Sequence, residues 1–480
     1  MDRNNIVIKI ILITLALIIM GWLCLKDGAG SSDREYVRYD GCDIAVLHEG
    51  DEVMLFLPEY IADSKVRLSN GVKKLDPKIV KYSGVPTIFI ETTHGNMDEV
   101  YSDKEYKEPG KISAYSENGE KEYSGGLEYI KGRGNYSWAS EEWTKKPFTI
   151  CLKSEEALLG QPKGTKFALI ANASDDTLVR NDLARRIQEE LGVKYASRGT
   201  FTGLYIDGEF QGIYYLCATP DLADERIDIG IAGADITGGY LMEREIADRY
   251  KLEKDDIACS FITDSGEIFV VSAPQYATDE QVEYLRDYMN RAESAIMSPE
   301  GIEGENVGYA DYIDTESFTM TCLTEEIVKN YDAGVSSAFY YKRSDAEGGE
   351  LCCAPGWDYD MSLGSYQEWM EYDSPEGMTK LYPHKDASPW YARLYDREEF
   401  YGSLKQMYRD NRVKIADILY GEGLDDVRDS LDGVYKAEYL RWKTMYDNRG
   451  SKPGSDEAYD TLKNFAERRM NYLDAVWSTE

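Results

Sequence analysis

The sequence predicts an α+β fold, with strands in the front of the chain and helices in the back. Two observations carry this. Apolar residues alternate through much of the first half and are interrupted by Asn70-Gly71, Asn118-Gly119 and Asp207-Gly208, dipeptides that tolerate the positive φ of tight hairpin turns. After Trp390 the apolar spacing changes to three and four residues, the period of an amphipathic helix. At 480 residues the chain is long enough to bury a substantial core.

From the N-terminus, residues 1–5 read as a cytoplasmic end, and residues 6–25 as an apolar run with a single charge, Lys9. Twenty residues of helix span about 30 Å, the thickness of a hydrocarbon core. Arg3 and Lys9 precede the apolar centre, which orients the N-terminus inside and the rest of the chain outside the cell. The run ends in Trp22-Leu23-Cys24-Leu25 without a small-x-small site, which favours an uncleaved single-pass membrane anchor over a cleaved signal peptide. Residues 26–35 read as a flexible tether. Residues 36–84 form a small β-rich unit, with Val53, Leu55 and Leu57 alternating before the Asn70-Gly71 turn.

The second hairpin joins Ile112–Tyr115 to Tyr123–Ile130, and the third joins Phe201–Tyr205 to Phe210–Tyr215. Between them, Asp175 or Asp176 caps a helix whose Val179, Leu183, Ile187 and Leu191 share a face and which Gly192 stops. Thr278 and Gln281 form a capping box ahead of Val282–Met297, and Asp314 opens another helix through Phe318 and Ile327. Towards the C-terminus, Phe400, Leu404, Tyr408, Ile415 and Leu419 share a stripe, and Tyr459, Leu462, Phe465, Leu473 and Val476 mark a last helix.

Composition narrows the chemistry. A net charge of −34 argues against nucleic acid as a partner, because a phosphate backbone is bound by basic surface. Only three histidines occur, none paired at ligand spacing, so neither a histidine-built zinc site nor a Ser-His-Asp triad has material to draw on. The eight cysteines show no CxxC spacing, and with Cys24 inside the apolar run an odd seven remain, which yields no disulfide map. Catalysis would have to rest on carboxylates, hydroxyls, Lys and Arg.

Two carboxylate clusters stand out: Lys329-Asn330-Tyr331-Asp332 at the end of a periodic helix, and Trp357-Asp358-Tyr359-Asp360 after Ala354-Pro355-Gly356. Strand-like Phe339–Lys342 and a Gly348-Gly349 turn lie between them, so a hairpin can bring both to one cleft. An Asn-x-Asp followed by an Asp-x-Asp supplies an acceptor-positioning carboxylate and metal-holding carboxylates, most of what phosphoryl transfer asks of a protein. A third feature is Lys131-Gly132-Arg133-Gly134-Asn135, in which two glycines flank a guanidinium. Lys145-Lys146-Pro147 then opens a strand, where a lysine can reach a phosphate or simply be exposed.

Taken in order, these pieces resemble the spore-coat protein H (CotH) kinase family. They are Ile130 to Asn135 with Trp138 and Lys146-Pro147; Leu158-Leu159-Gly160; Phe167 to Asn172; Leu178-Val179-Arg180-Asn181; Tyr205 to Gly212; Gly238 to Leu241; Asn330-x-Asp332; and Trp357 to Asp360. The resemblance covers roughly residues 85–480. It implies an atypical protein-kinase-like core over residues 85–365 and a helical C-terminal part over 366–480. It further implies an enzyme that moves the γ-phosphate of ATP, with Mg²⁺ or Mn²⁺, to Ser or Thr of surface or exported proteins. Asp332 matches the catalytic carboxylate and Asp358, with Asp360 and Asn330, the metal site, although the two roles are exchangeable. Trp357 matches a residue that stacks on adenine, and Lys146 or Arg133 would face phosphates.

There are departures. Ala218 stands where the family commonly has Glu, Asp176 replaces a basic residue, and the stretch between Asp332 and Trp357 is longer than usual. Those changes, and the scarcity of ATP outside cells, keep open a non-catalytic surface assembly or adhesion protein. A carbohydrate-active enzyme using paired carboxylates is a third alternative.

Overall fold

The computed structural model describes residues 36–477 except 40–41, 50, 64–76, 224, 234, 254–256, 299–301, 303–306, 336–337, 367–373 and 380–387. The mixed strand and helix content expected from the sequence is observed, including a helical C-terminal part. Strands β1 (Tyr36–Tyr39) and β2 (Cys42–Ala45) form an antiparallel pair, and β3 (Leu47–Glu49), β4 (Glu52–Pro58) and β5 (Lys78–Tyr82) form a small sheet. Here one expectation is corrected. β4 and β5 run parallel, with Met54 opposite Lys78 and Pro58 opposite Tyr82. A parallel pair needs a crossover rather than a hairpin. The crossover begins with the short helix α1 (Glu59–Ala62), and Asn70-Gly71 itself lies outside the described residues.

Seven strands then close a barrel: β6 (Thr87–Thr92), β7 (Glu108–Tyr115), β8 (Lys121–Gly132), β9 (Phe148–Leu158), β10 (Gln161–Ile170), β11 (Thr200–Ile206) and β12 (Glu209–Ala218). Its connections carry α2 (Asp98–Ser102), α3 (Tyr136–Ala139) and α4 (Arg180–Leu191). Alternate residues such as Ile88, Ile90, Ile112, Leu127, Ile150, Leu169 and Leu204 fill the interior. Both hairpins expected here form. Asp207 (φ 50°) and Gly208 (φ 80°) turn β11 into β12, and Gly119 (φ 83°) lies in the turn between β7 and β8.

A five-stranded sheet follows, built from β13 (Tyr240–Glu245), β14 (Ser260–Ile262), β15 (Ile268–Ala273), β16 (Ala338–Lys342) and β17 (Leu351–Cys353), in the order β14-β15-β13-β16-β17. Helix α5 (Ala247–Glu253) follows β13. Helices α6 (Asp279–Met297) and α7 (Thr315–Val328) carry the expected caps, a Thr278–Gln281 capping box and an Asp314 carboxylate accepting from the Ser317 N–H. The last segments are α8 (Trp390–Tyr395), α9 (Glu398–Tyr420), α10 (Glu422–Arg441), α11 (Lys443–Arg449) and α12 (Asp456–Trp477). At the start of α4 it is Asp175, not Asp176, that accepts from the Arg180 N–H, at 2.9 Å. The helix stops at Gly192 with φ 79°, as expected.

One hydrophobic cluster unites these parts. Leu55 and Val80 of the front strands share it with Leu183, Leu323, Leu404, Leu431 and Leu473 from five helices. The cysteines at 151, 217, 259, 322, 352 and 353 are free thiols.

Single-pass membrane localisation, expected from residues 6–25, is corrected. Among the described residues no helix is long and apolar enough to cross a membrane. The segment on which the expectation rested, and with it the predicted tether, lies outside the described residues.

The barrel is tied to the helices by a buried ion pair. Lys145, just ahead of β9, donates to Glu438 of α10 at 2.7 Å and to the Ile213 carbonyl at 2.6 Å. Glu438 also accepts from the Ile213 N–H at 2.7 Å and the Tyr446 hydroxyl at 3.2 Å. Neither charged side chain is exposed to solvent. Removing one partner leaves the other charge buried and alone, so Glu438→Ala is expected to cost about 3–5 kcal/mol. The double variant Lys145→Met with Glu438→Leu should cost less than that single change; equilibrium denaturation of both measures the difference.

Candidate active site

Helix α7 ends where Lys329 takes a left-handed conformation, φ 51°, and turns the chain toward Asp332. The Asn330 side chain then braces two segments at once. Its Oδ1 accepts from the Asp332 N–H at 3.2 Å, and its Nδ2 donates to the Asp358 carbonyl at 3.2 Å. The β16–β17 hairpin returns the chain so that the Tyr331 N–H donates to the Met361 carbonyl at 3.0 Å. The two carboxylate clusters thus meet by the route the sequence suggested, a helix end and a strand end joined by a hairpin.

Tyr359 anchors the second cluster from below. Its N–H donates to Asn181 Oδ1 at 3.0 Å, its hydroxyl donates to Glu325 at 2.9 Å, and it accepts from Gln188 at 3.0 Å. Asn181 is itself held by Asn172, whose φ of 49° is a left-handed value that asparagine tolerates. At Gly356 a Cβ would run into the Tyr359 hydroxyl, so a side chain there would displace the anchor. With Tyr359 buried, Asp358 and Asp360 on either side of it line the cleft.

That cleft has a volume of about 870 Å³. Asp332, Asp358 and Asp360 line it together with Lys104, Lys131 and Arg133 from the barrel. Arg133 follows the end of β8, and Gly134 behind it, φ 73°, makes the turn into α3. The guanidinium lies 4.3 Å from the centre of the Trp357 ring, a cation–π contact. Trp357 also meets the Phe339 ring at 6.0 Å and packs on Ala168, Ile170, Tyr215 and Cys217 of the barrel wall. Lys104 donates to Asn135 at 2.8 Å, and Lys131 pairs with Glu105.

The electrostatics follow from this crowding. Loss of hydration, and then the Asp358 carboxylate, push the Asp332 carboxyl up to about 6, with Arg249 pulling the other way. Asp360 is raised well above the ordinary carboxylate range by burial first and then by Asp358 and Asp332; Arg133 opposes the shift. Below them, burial pushes Glu325 up to about 7 against its hydrogen bonds with Tyr359 and Asn330. Carboxylates that repel one another, beside a cationic wall, suit a divalent cation together with an anion. Among the described residues no three or more Asp, Glu, His or Cys side chains form a ready metal cage. Magnesium needs none, being held typically by one or two carboxylates plus substrate phosphates.

The family description "CotH kinase protein" matches residues 130–473, well over half of the chain. The chain belongs to the CotH kinase family. No curated protein matches it. Of the residues singled out in this CotH chain, Arg133, Asp332, Trp357, Asp358 and Asp360 come together in the cleft. Asn330 sits beneath it as a brace. Lys146 does not line the cleft: its ammonium donates to the Trp138 and Ser140 carbonyls, each at 2.7 Å, and holds the end of α3. Burial lowers its pKa. Sequence reasoning missed Glu243, Glu245 and Arg249, which also line the cleft. The two glutamates alternate along β13, but in a chain with 88 acidic residues that spacing carries no signal.

The raised carboxyl sets a pH dependence. A folded value near 6 against an ordinary 3.8 means that the folded protein keeps a proton the unfolded chain has lost. Its contribution to stability is complete below about pH 4 and lost as pH rises through about 6. Melting temperatures without metal should therefore show wild type losing stability, relative to Asp332→Asn, as pH rises across that window. Parallel curves would mean that Asp332 titrates normally.

Proposed function

We propose that this cleft binds ATP with Mg²⁺ or Mn²⁺ and transfers the γ-phosphoryl group to a Ser or Thr hydroxyl of a protein. The observation that supports this most is the placing of Asp332, raised toward neutrality, beside Asp358 and Asp360 and across from Arg133. A divalent cation bound there neutralises charge on the phosphates. Asp358 and Asp360 would hold it, and its charge would offset the burial and the repulsion that raise the Asp360 carboxyl. Arg133 and Lys131 would face the phosphate oxygens. Asp332 would orient the acceptor hydroxyl and take its proton. The new bond joins that oxygen to the γ-phosphorus, the bond from the γ-phosphorus to the bridging oxygen breaks, and ADP leaves.

Trp357 offers an aromatic face for a base, and Arg133 already covers one face at 4.3 Å. A base stacking on that face would have to displace the guanidinium, which would then be available to the phosphates. The rival reading, a fold kept for assembly without turnover, draws on one observation: Lys146, the lysine placed at the phosphates by resemblance, is engaged with two carbonyls.

Transfer of ³²P from labelled ATP to generic protein acceptors, or to the protein itself, decides between them. With Asp332→Asn, fold and nucleotide affinity should persist while transfer falls by about two orders of magnitude or more, the loss expected for a catalytic base. No transfer by wild type with either metal would support the assembly reading. Transfer unchanged by Asp332→Asn would move the base to Asp358 or Asp360.

A further inference from the structure

Beside the cleft, and sharing Trp357 with it, lies a small cavity of about 30 Å³. Its wall is formed by Arg185 of α4, the end of β12 at Ala218, Arg226 in the segment that follows, and Pro355 with Trp357. Arg185 and Arg226 are each only 4% exposed. Nε and Nη2 of Arg185, Nε of Arg226 and the Trp357 indole N–H are all buried without a hydrogen-bond partner. The remaining bonds are to neutral oxygens: Arg185 to the Ser197 carbonyl at 2.8 Å, and Arg226 to the Lys166 carbonyl at 2.7 Å, the Pro162 carbonyl at 3.3 Å and the Thr219 hydroxyl at 3.3 Å. No Asp or Glu lines the cavity.

This is an arrangement of donors alone. Guanidinium groups do not lose their protons in proteins. Carboxylates act on both guanidiniums from outside the cavity lining, Asp182 on Arg185 and Asp221 and Glu155 on Arg226. None accepts a hydrogen bond from the free N–H groups, so the cavity itself presents donors with no acceptor, which favours a small acceptor of negative charge. In a chain of net charge −34, with carboxylates abundant, none is placed here. A cavity holds a water for each 10–15 Å³, roughly, so this one has room for two or three waters or for a single small anion.

We infer that the cavity binds one small inorganic anion of chloride size, held between Arg185, Arg226 and the Trp357 indole N–H. Occupancy fixes the indole whose ring also lines the catalytic cleft, so the anion braces the barrel, α4 and the Trp357 segment against one another. This goes beyond the kinase reading and does not depend on it.

The test is the melting temperature of the full chain in chloride and in gluconate, an anion too large for the cavity, at equal ionic strength. Chloride should raise it by a few degrees, saturably, and Arg185→Gln should abolish the difference. Wild-type crystals grown in bromide should show one anomalous peak among the three donors, a result that needs no variant to fold. Equal melting in the two salts together with no bromide peak would overturn the proposal. Loss of the chloride effect on adding ATP without metal would assign these donors to the nucleotide and overturn it as well. Absence of phosphoryl transfer would leave the anion site standing.

Discussion

The structure turns on one unfavourable arrangement: Asp332, Asp358 and Asp360 share a cleft, where burial and Asp358 raise the proton affinity of Asp332, and burial with both neighbours raises that of Asp360. Left to relax, such groups would move apart or remain protonated. They are held by a buried polar layer in which Asn330 bridges two backbone segments and Tyr359 is fastened by Asn181, Gln188 and Glu325. Polar groups at this depth are stable only when paired. The layer reaches back through Asn181 and Asn172 to the end of β10. Barrel and helical part are thus joined at the cleft by hydrogen bonds, and away from it by the buried pair of Lys145 and Glu438.

Local features were legible in the sequence where one residue type has one physical use. Asp207-Gly208 makes the turn its positive φ values allow, Thr278 and Gln281 form their capping box, and Gly192 stops α4. Pairing across distance was not legible. Closure of the barrel depends on β6 running parallel to β11, more than a hundred residues on, and the parallel β4–β5 pair was misread because a turn dipeptide happens to lie between the strands. Neither partner of such a pair marks the other in its own pattern.

The candidate site divides in the same way. Asp332 and the Asp358–Asp360 pair were visible as motifs, and the hairpin between them was visible as a strand and a glycine turn. Lys145 and Lys146 are adjacent and identical in type, yet one is committed to Glu438 and the other to the carbonyls around α3. Only three-dimensional placement separates them. The departure at Asp176 also acquires a reason: its carboxylate accepts from Arg449 at 2.6 Å and from Ser451 at 3.1 Å, so it ties the entry of α4 to the end of α11. It is not among the residues lining the cleft. Ala218 lies instead on the cavity beside Trp357, where a glutamate would bring a negative charge next to Arg185 and Arg226.

The central claim is that the repelling carboxylates are a metal–phosphate site kept ready by the fold. Calorimetric titration of ATP into the purified protein, with and without Mg²⁺, tests it most directly, with Asp358→Asn alongside. Binding should depend on the metal in wild type and lose that dependence in the variant, while the variant without metal melts no lower than wild type. ATP binding that is equally tight with and without metal, or equally metal-dependent in Asp358→Asn, would contradict it.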